Sequence, residues 1–86
     1  MTENLQNLER TEQLQLSNST AQPLTLWIEP WGHDFLVAPG DNINMLFSGL
    51  TTSYLEIEFK EDCCIIYSWP NSSISVFQNG NEIVSY

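Results

Sequence analysis

The side chains best suited to chemistry in this sequence are one histidine and two cysteines. His33 lies next to Asp34 within the stretch IEPWGHDFLVAPGD, residues 28–41, and Cys63 and Cys64 are adjacent. A zinc or copper site usually needs three or four ligands drawn from histidine, cysteine and carboxylate. Neighbouring side chains of a strand point to opposite faces, so neither adjacent pair converges on a metal and the two thiols are poorly placed to bond each other. We therefore expect no metal site and no cofactor.

The sequence also gives little indication of catalysis by a nucleophile or by paired carboxylates. Cys63 and His33 could meet only through the fold, and no G-x-S-x-G motif is present. Glu56 and Glu58 lie on one strand face, about 7 Å apart, which is equally the pattern of a solvated face. The four glycines are isolated from one another, so no phosphate-binding loop is formed. The sequence predicts a protein that is not an enzyme.

The charge balance restricts the partners. Eleven acidic residues stand against two basic ones, for a formal net charge of −9. Such a surface repels phosphate and anionic lipid, so we expect neither nucleic-acid binding nor membrane binding. The acidity serves either solubility or the binding of a basic protein. The acidic N-terminus is unlike a signal peptide, and two free thiols suit a reducing compartment, so we expect a cytoplasmic protein.

The length of 86 residues allows one domain. From residue 23 onward apolar and polar side chains alternate almost everywhere, which is the period of a strand. We predict an all-β fold, a small antiparallel β-sandwich or barrel of six to seven strands, over residues 23–86. Residues 1–22 are predicted to be an N-terminal tail or edge segment. Within it we expect a flexible tail or short helix over residues 2–12, followed by an edge strand near residues 13–18.

One hairpin can be assigned a register. If Glu61-Asp62 form a two-residue loop, Phe59 faces Cys64 and Ile57 faces Ile66, so the inward face is apolar throughout and Cys64 is a small core residue.

Two further turns have recognisable signals. Asn79-Gly80 is typical of a hairpin loop, and Pro39-Gly40 of a type II turn.

Large apolar side chains at exposed positions indicate a binding surface. Trp27 lies on the strand face opposite the leucines, while Trp31 and Trp69 flank prolines in loops. Such tryptophans either anchor a partner or ligand or close the ends of the sandwich. Ile65 and Tyr67 share the outward face, which another strand, the N-terminal segment or a partner would cover. The candidate partner-binding residues are Trp27, Trp31, Ile65, Tyr67, Trp69, Glu56 and Glu58.

The turns also carry a resemblance. Glu29-Pro30-Trp31-Gly32, then Pro39-Gly40-Asp41, then Trp69-Pro70 resemble a small bacterial β-domain family with EPWG, PG and WP turn elements. The resemblance covers about residues 24–83. It implies a compact β domain in a bacterial cell, and it carries no catalytic residue because the family has no established activity.

The leading hypothesis is a non-catalytic acidic interaction module that binds a protein partner or itself as a homodimer. A first alternative is an inhibitor or immunity-type protein that masks a basic enzyme. A second is a small-ligand or carbohydrate-binding module that uses exposed tryptophans.

Overall fold

The computed structural model describes residues 9–50 and 54–86, which form two four-stranded β-sheets packed against each other. In chain order the strands are β1 (Glu9–Ser17), β2 (Leu24–Glu29), β3 (His33–Val37), β4 (Asn42–Leu50), β5 (Glu56–Phe59), β6 (Cys63–Tyr67), β7 (Ser73–Gln78) and β8 (Asn81–Ser85). The first sheet has the order β1-β4-β7-β8 and the second the order β3-β2-β6-β5. The prediction of an all-β fold is confirmed, as a sandwich of eight strands rather than six or seven.

The N-terminal prediction is partly wrong. Residues 9–12, assigned to a tail or short helix, are strand, and residues 2–8 lie outside the described residues. The strand extends this far because β4 is equally long, so that β1 pairs with it from Glu9 opposite Leu50 to Ser17 opposite Asn42. The expected edge position of this segment is confirmed. No described helix could cross a bilayer.

One strand pair departs from the predicted antiparallel arrangement. β2 and β6 are parallel, with Leu26 beside Cys64 and Ile28 beside Ile66. Every other pair in the two sheets is antiparallel. Between β2 and β6 in the chain, β4 crosses to the first sheet. β6 is therefore joined to β2 by a long crossover connection rather than a hairpin, as a parallel pair requires.

The core lies between the two sheets. β2 and β6 bury alternate residues, and Cys64 is fully buried as predicted. Each fully buried aliphatic or aromatic side chain contributes roughly 1.5–3 kcal/mol of transfer free energy. The buried apolar residues are Leu26, Ile28, Val37, Ile43, Met45, Phe47, Cys64, Ile66, Trp69, Ile74 and Val76.

The predicted β5–β6 hairpin is confirmed residue by residue. Phe59 pairs with Cys64 and Ile57 pairs with Ile66, and the N–H of Lys60 donates to the carbonyl of Cys63 at 2.9 Å. Alternation along both strands thus places Ile57 and Phe59 on the face that points toward the core.

The other two predicted turns are also confirmed. Asn79 and Gly80 both have positive φ, 50° and 87°, as a two-residue type I′ hairpin loop requires. Gly40 has a φ of 87°, and the N–H of Asp41 donates to the carbonyl of Ala38 at 3.0 Å, which is type II geometry.

A buried asparagine holds the connection that follows β1. Asn18 is 3% exposed, and its side-chain amide donates to the carbonyls of Gln22 (2.8 Å) and Val37 (2.9 Å). Its side-chain oxygen accepts the N–H and hydroxyl of Thr20. One polar side chain therefore provides hydrogen-bond partners for several groups of the loop that joins the two sheets.

Candidate partner-binding surface

The outer face of the second sheet gathers five of the seven predicted residues. Pairing puts Trp27 beside Ile65, and Ile65 beside Glu58, in one row across the sheet. In the next row Tyr67 lies beside Glu56. Trp27, Ile65 and Tyr67 face away from the core because their neighbours along β2 and β6 are buried. Glu56 and Glu58 face the same way because each pairs with Tyr67 or Ile65 across the sheet.

Two further carboxylates complete this surface. Asp34 pairs with Trp27 from β3, and Glu29 lies beside Tyr67 from β2. Each row is therefore apolar in the middle and acidic at both ends. We call this surface the outer-face patch: an apolar centre of Trp27, Ile65 and Tyr67 within a rim of Glu29, Asp34, Glu56 and Glu58.

A hydrogen bond joins the centre of the outer-face patch to its rim. The hydroxyl of Tyr67 donates to Oε1 of Glu58 at 2.8 Å. This bond raises the pKa of Tyr67 above its ordinary value, with smaller contributions from burial and from the charges of Glu58, Glu56 and Glu29. Tyr67 is thus held in its neutral form, with its ring oriented by the carboxylate.

Trp31 lies elsewhere, at one lateral opening of the sandwich. Its indole stacks on Tyr86 and packs against the core. His33 joins the same cluster, because its Nδ1 lies 2.7 Å from the Tyr86 hydroxyl and its ring contacts Phe35. Trp31 therefore closes the space between β3 and β8, and the outer-face patch does not include it.

Trp69 belongs to the core and is 1% exposed. Its ring packs near Phe47, and the Arg10 guanidinium lies 5.3 Å from the ring centroid. A Cβ at Gly49 would stand 3.1 Å from the indole Nε1, so a glycine permits this close approach. Because so little of Trp69 reaches solvent, it cannot contact a partner in this state. The three tryptophans thus occupy three separate environments rather than one ligand platform.

The residues that suggested chemistry do not converge. Cys63 pairs with Thr25, whereas His33 pairs with Ile28, three positions further along β2 and on the inner side. Burial, with a smaller effect of Cys63, raises the pKa of the Cys64 thiol, which therefore remains protonated. Within residues 9–50 and 54–86 no group of three or more metal-ligating side chains is placed to hold an ion.

Among residues 9–50 and 54–86, the opposite lateral opening of the sandwich, between β1 and β5, is an open cleft. Its apolar part has a volume of about 290 Å³ and is lined mainly by Leu14, Leu16, Leu24, Ile57 and Phe59. It continues past Ser17 into a larger cleft of about 720 Å³ beside the 60–63 turn. The two lateral openings thus differ, since an aromatic cluster fills one and the other is open.

Sequence reasoning missed Asp34 and Glu29 as parts of the rim. Glu29 stands two residues after Trp27 in β2, so strand alternation already places it on the same face, whereas Asp34 joins the outer-face patch through the pairing of β3 with β2. The place of both carboxylates in one surface with Ile65 and Tyr67 depends on the parallel β2–β6 register, which no hairpin loop predicts.

Comparisons with protein-family models, with curated proteins and with solved structures find no match to this chain. The resemblance built on the EPWG, PG and WP turns remains a prediction.

Proposed function

We propose that this protein is a non-catalytic module that binds a basic protein partner through the outer-face patch. The observation that supports this most directly is the arrangement of carboxylates on both sides of Trp27, Ile65 and Tyr67.

The apolar centre suits an interface anchor. Trp27 is 36% exposed although it is surrounded on its sheet by other side chains. Tryptophan and tyrosine dominate the binding energy of many interfaces, and polar neighbours that exclude water from them strengthen the contact. A partner side chain that covers Trp27 and Ile65 would bury an apolar surface that otherwise faces water.

The rim favours a basic partner over a second copy of the chain. Carboxylates lie at both ends of each row, and the whole chain carries a net charge of −9, so two copies would meet with like charges. An arginine-bearing partner would instead pair with the rim and stack on the Trp27 ring. The cytoplasm is the proposed location, because both cysteines are free thiols.

A specific form of this proposal is an inhibitor or immunity-type protein. The same four carboxylates would then cover the cationic site of an enzyme, and the captured partner would lose activity on binding. If the captured enzyme keeps its activity, the inhibitory form is excluded, while the general proposal of a basic protein partner stands.

The experiment compares the capture of a basic protein by the immobilised native chain with its capture by two immobilised variants. Trp27→Ala removes the anchor, while Leu46→Ala removes an apolar side chain of similar exposure (41%) from the outer face of the first sheet. We expect a basic protein to be retained by the native chain and by Leu46→Ala and lost with Trp27→Ala. Retention should also weaken steeply as the salt concentration rises.

Equal retention by all three proteins would contradict the proposal. So would a dimer in light scattering that dissociates in Trp27→Ala, because that result would assign the outer-face patch to self-association.

A further inference from the structure

β5 is an edge strand whose inward side chains are exposed. Ile57 and Phe59 face the same side as their cross-strand partners Ile66 and Cys64. Those partners are fully buried, whereas Ile57 is 40% exposed and Phe59 is 76% exposed. Two apolar side chains therefore point toward the interior of the sandwich with nothing in the described chain covering them fully.

No described strand pairs with the outer edge of β5. Hydrogen-bonded and free residues alternate along an antiparallel pair. Because Lys60 donates to Cys63, the peptide groups of Glu58 and Glu56 also turn toward β6. Those of Ile57 and Phe59 turn outward, where a further strand could pair with them.

Facing this edge is an apolar wall on the other sheet. Leu14 and Leu16 of β1 line the far side of the 290 Å³ cleft, and Leu24 of β2 contributes from the same sheet as β5. A strand that paired with β5 would place alternate side chains into this space. The cleft would then be closed much as Tyr86 closes the opposite opening.

The carboxylates on the outer face favour particular side chains at the alternate positions of such a strand. Those pointing away from the cleft would lie beside Glu56 and Glu58, on the outer face. Basic residues there would pair with the carboxylates. A second copy of β5 would bring glutamates opposite glutamates, and like charges directly opposite are destabilising.

We propose that the β5 edge accepts an extended segment of a protein partner in which apolar and basic residues alternate. The segment adds as a fifth strand to the second sheet, with its apolar side chains in the cleft. This inference rests on the proposed function, since it specifies how a basic partner reaches the surface beside the outer-face patch.

The test uses a synthetic peptide of about eight residues, a typical strand length, in which valine and lysine alternate. Its binding to the whole protein is measured by calorimetry, and the amide hydrogen exchange of Ile57 and Phe59 is measured by NMR. We expect binding, with slower exchange at both amides. Phe59→Ser should weaken binding about tenfold and Leu46→Ser should not. Methylation of alternate peptide nitrogens, which removes donors to the β5 edge, should weaken it by about the same factor.

A peptide of alternating valine and glutamate is the charge control and is expected not to bind. The inference is overturned if the lysine peptide does not bind, if the methylated peptide binds equally well, or if the two amides stay unprotected. Protection of both amides in the protein alone, together with a dimer in light scattering, would overturn it in favour of a second copy.

Trp27→Ala separates the two proposals. If Trp27→Ala leaves both peptide binding and protein capture intact, the result supports binding at the β5 edge and contradicts binding at the outer-face patch. Peptide binding that Trp27→Ala abolishes, without protection at β5, contradicts the edge and supports the outer-face patch.

Discussion

The indole of Trp31 and the phenol ring of Tyr86 are stacked, with centroids 5.2 Å apart and planes inclined by 6°. Tyr86 is held in place by paired backbone hydrogen bonds with Ile74, of 2.8 and 3.0 Å. Tyr86 thus joins the edge of the first sheet to the turn after β2 in the second.

Tyr86→Ala should therefore lower the free energy of unfolding by about 1–3 kcal/mol, because the stacked contact and the hydrogen bond to His33 are both lost. Urea unfolding measures this. Tyr54→Ala is the matched control, since Tyr54 is 87% exposed, and it should change stability by less than about 0.5 kcal/mol. Equal effects of the two substitutions would show that the stack does not hold the sheets together.

Trp31→Ala should destabilise the fold by about 2–4 kcal/mol, because it leaves a space between Tyr86 and the core. Protein that remains folded should still capture the partner. Thermal unfolding and the capture experiment distinguish a closing residue from an anchor. A variant with native stability and no capture would identify Trp31 as an anchor instead.

Asn18→Ala should lower stability by about 2–4 kcal/mol, because it removes four side-chain hydrogen bonds and leaves the buried carbonyl of Val37 without its amide donor. Ser19→Ala, at the exposed neighbouring position, is the control and should be nearly neutral. Chemical unfolding of both variants tests this. Similar unfolding midpoints for Asn18→Ala and Ser19→Ala would mean that water replaces the hydrogen bonds of the lost amide.

Tyr67 should ionise at higher pH than an ordinary tyrosine, because it donates to Glu58. Its folded pKa lies above its unfolded value of about 10, so its contribution to stability is complete below about pH 10 and is lost as the pH rises through the folded pKa. Ultraviolet titration of the native chain against Tyr67→Phe isolates this group.

Within that titration, Glu58→Gln should lower the pKa of Tyr67 more than Glu56→Gln does, since Glu56 contributes only its charge. An unchanged pKa in Glu58→Gln would show that the Tyr67–Glu58 hydrogen bond is absent in solution.

Cys63 should react with a maleimide in the native protein, while Cys64 should react only after unfolding. Cys63 is half-buried, whereas Cys64 is in the core, where burial raises its pKa and keeps the thiol protonated. Mass spectrometry of Cys63→Ser and Cys64→Ala separates the two thiols. Rapid native labelling of Cys64 would reveal frequent opening of the sandwich.

Local features of this fold could be predicted from the sequence. The β5–β6 register follows from an acidic two-residue loop between alternating strands, and only one pairing makes the inner face apolar. The Asn79-Gly80 loop is equally local, because its two positive φ angles suit those residues.

Features set by distant parts of the chain could not be predicted. Pro70 marks Trp69 as a loop residue, which fits either a surface anchor or a residue that closes the sandwich, and only packing against Phe47 and the approach of Gly49 place it in the core. The position of Ile65 beside Trp27 likewise depends on the parallel pairing of β2 with β6, two strands that lie far apart in the chain. Residues 9–12 have no strong strand pattern and are extended because β4 provides a long partner.

The order of strands has a consequence for how the chain reaches its native state. The part before residue 51 supplies β1 and β4 to the first sheet and β2 and β3 to the second, and the part after residue 53 supplies the remaining two strands of each. Neither part contains a complete sheet, and the contacts that unite them, β4 with β7 and β2 with β6, lie at the centre of each sheet. Both sheets must therefore be completed together, so we expect folding in a single cooperative transition in which neither sheet survives alone.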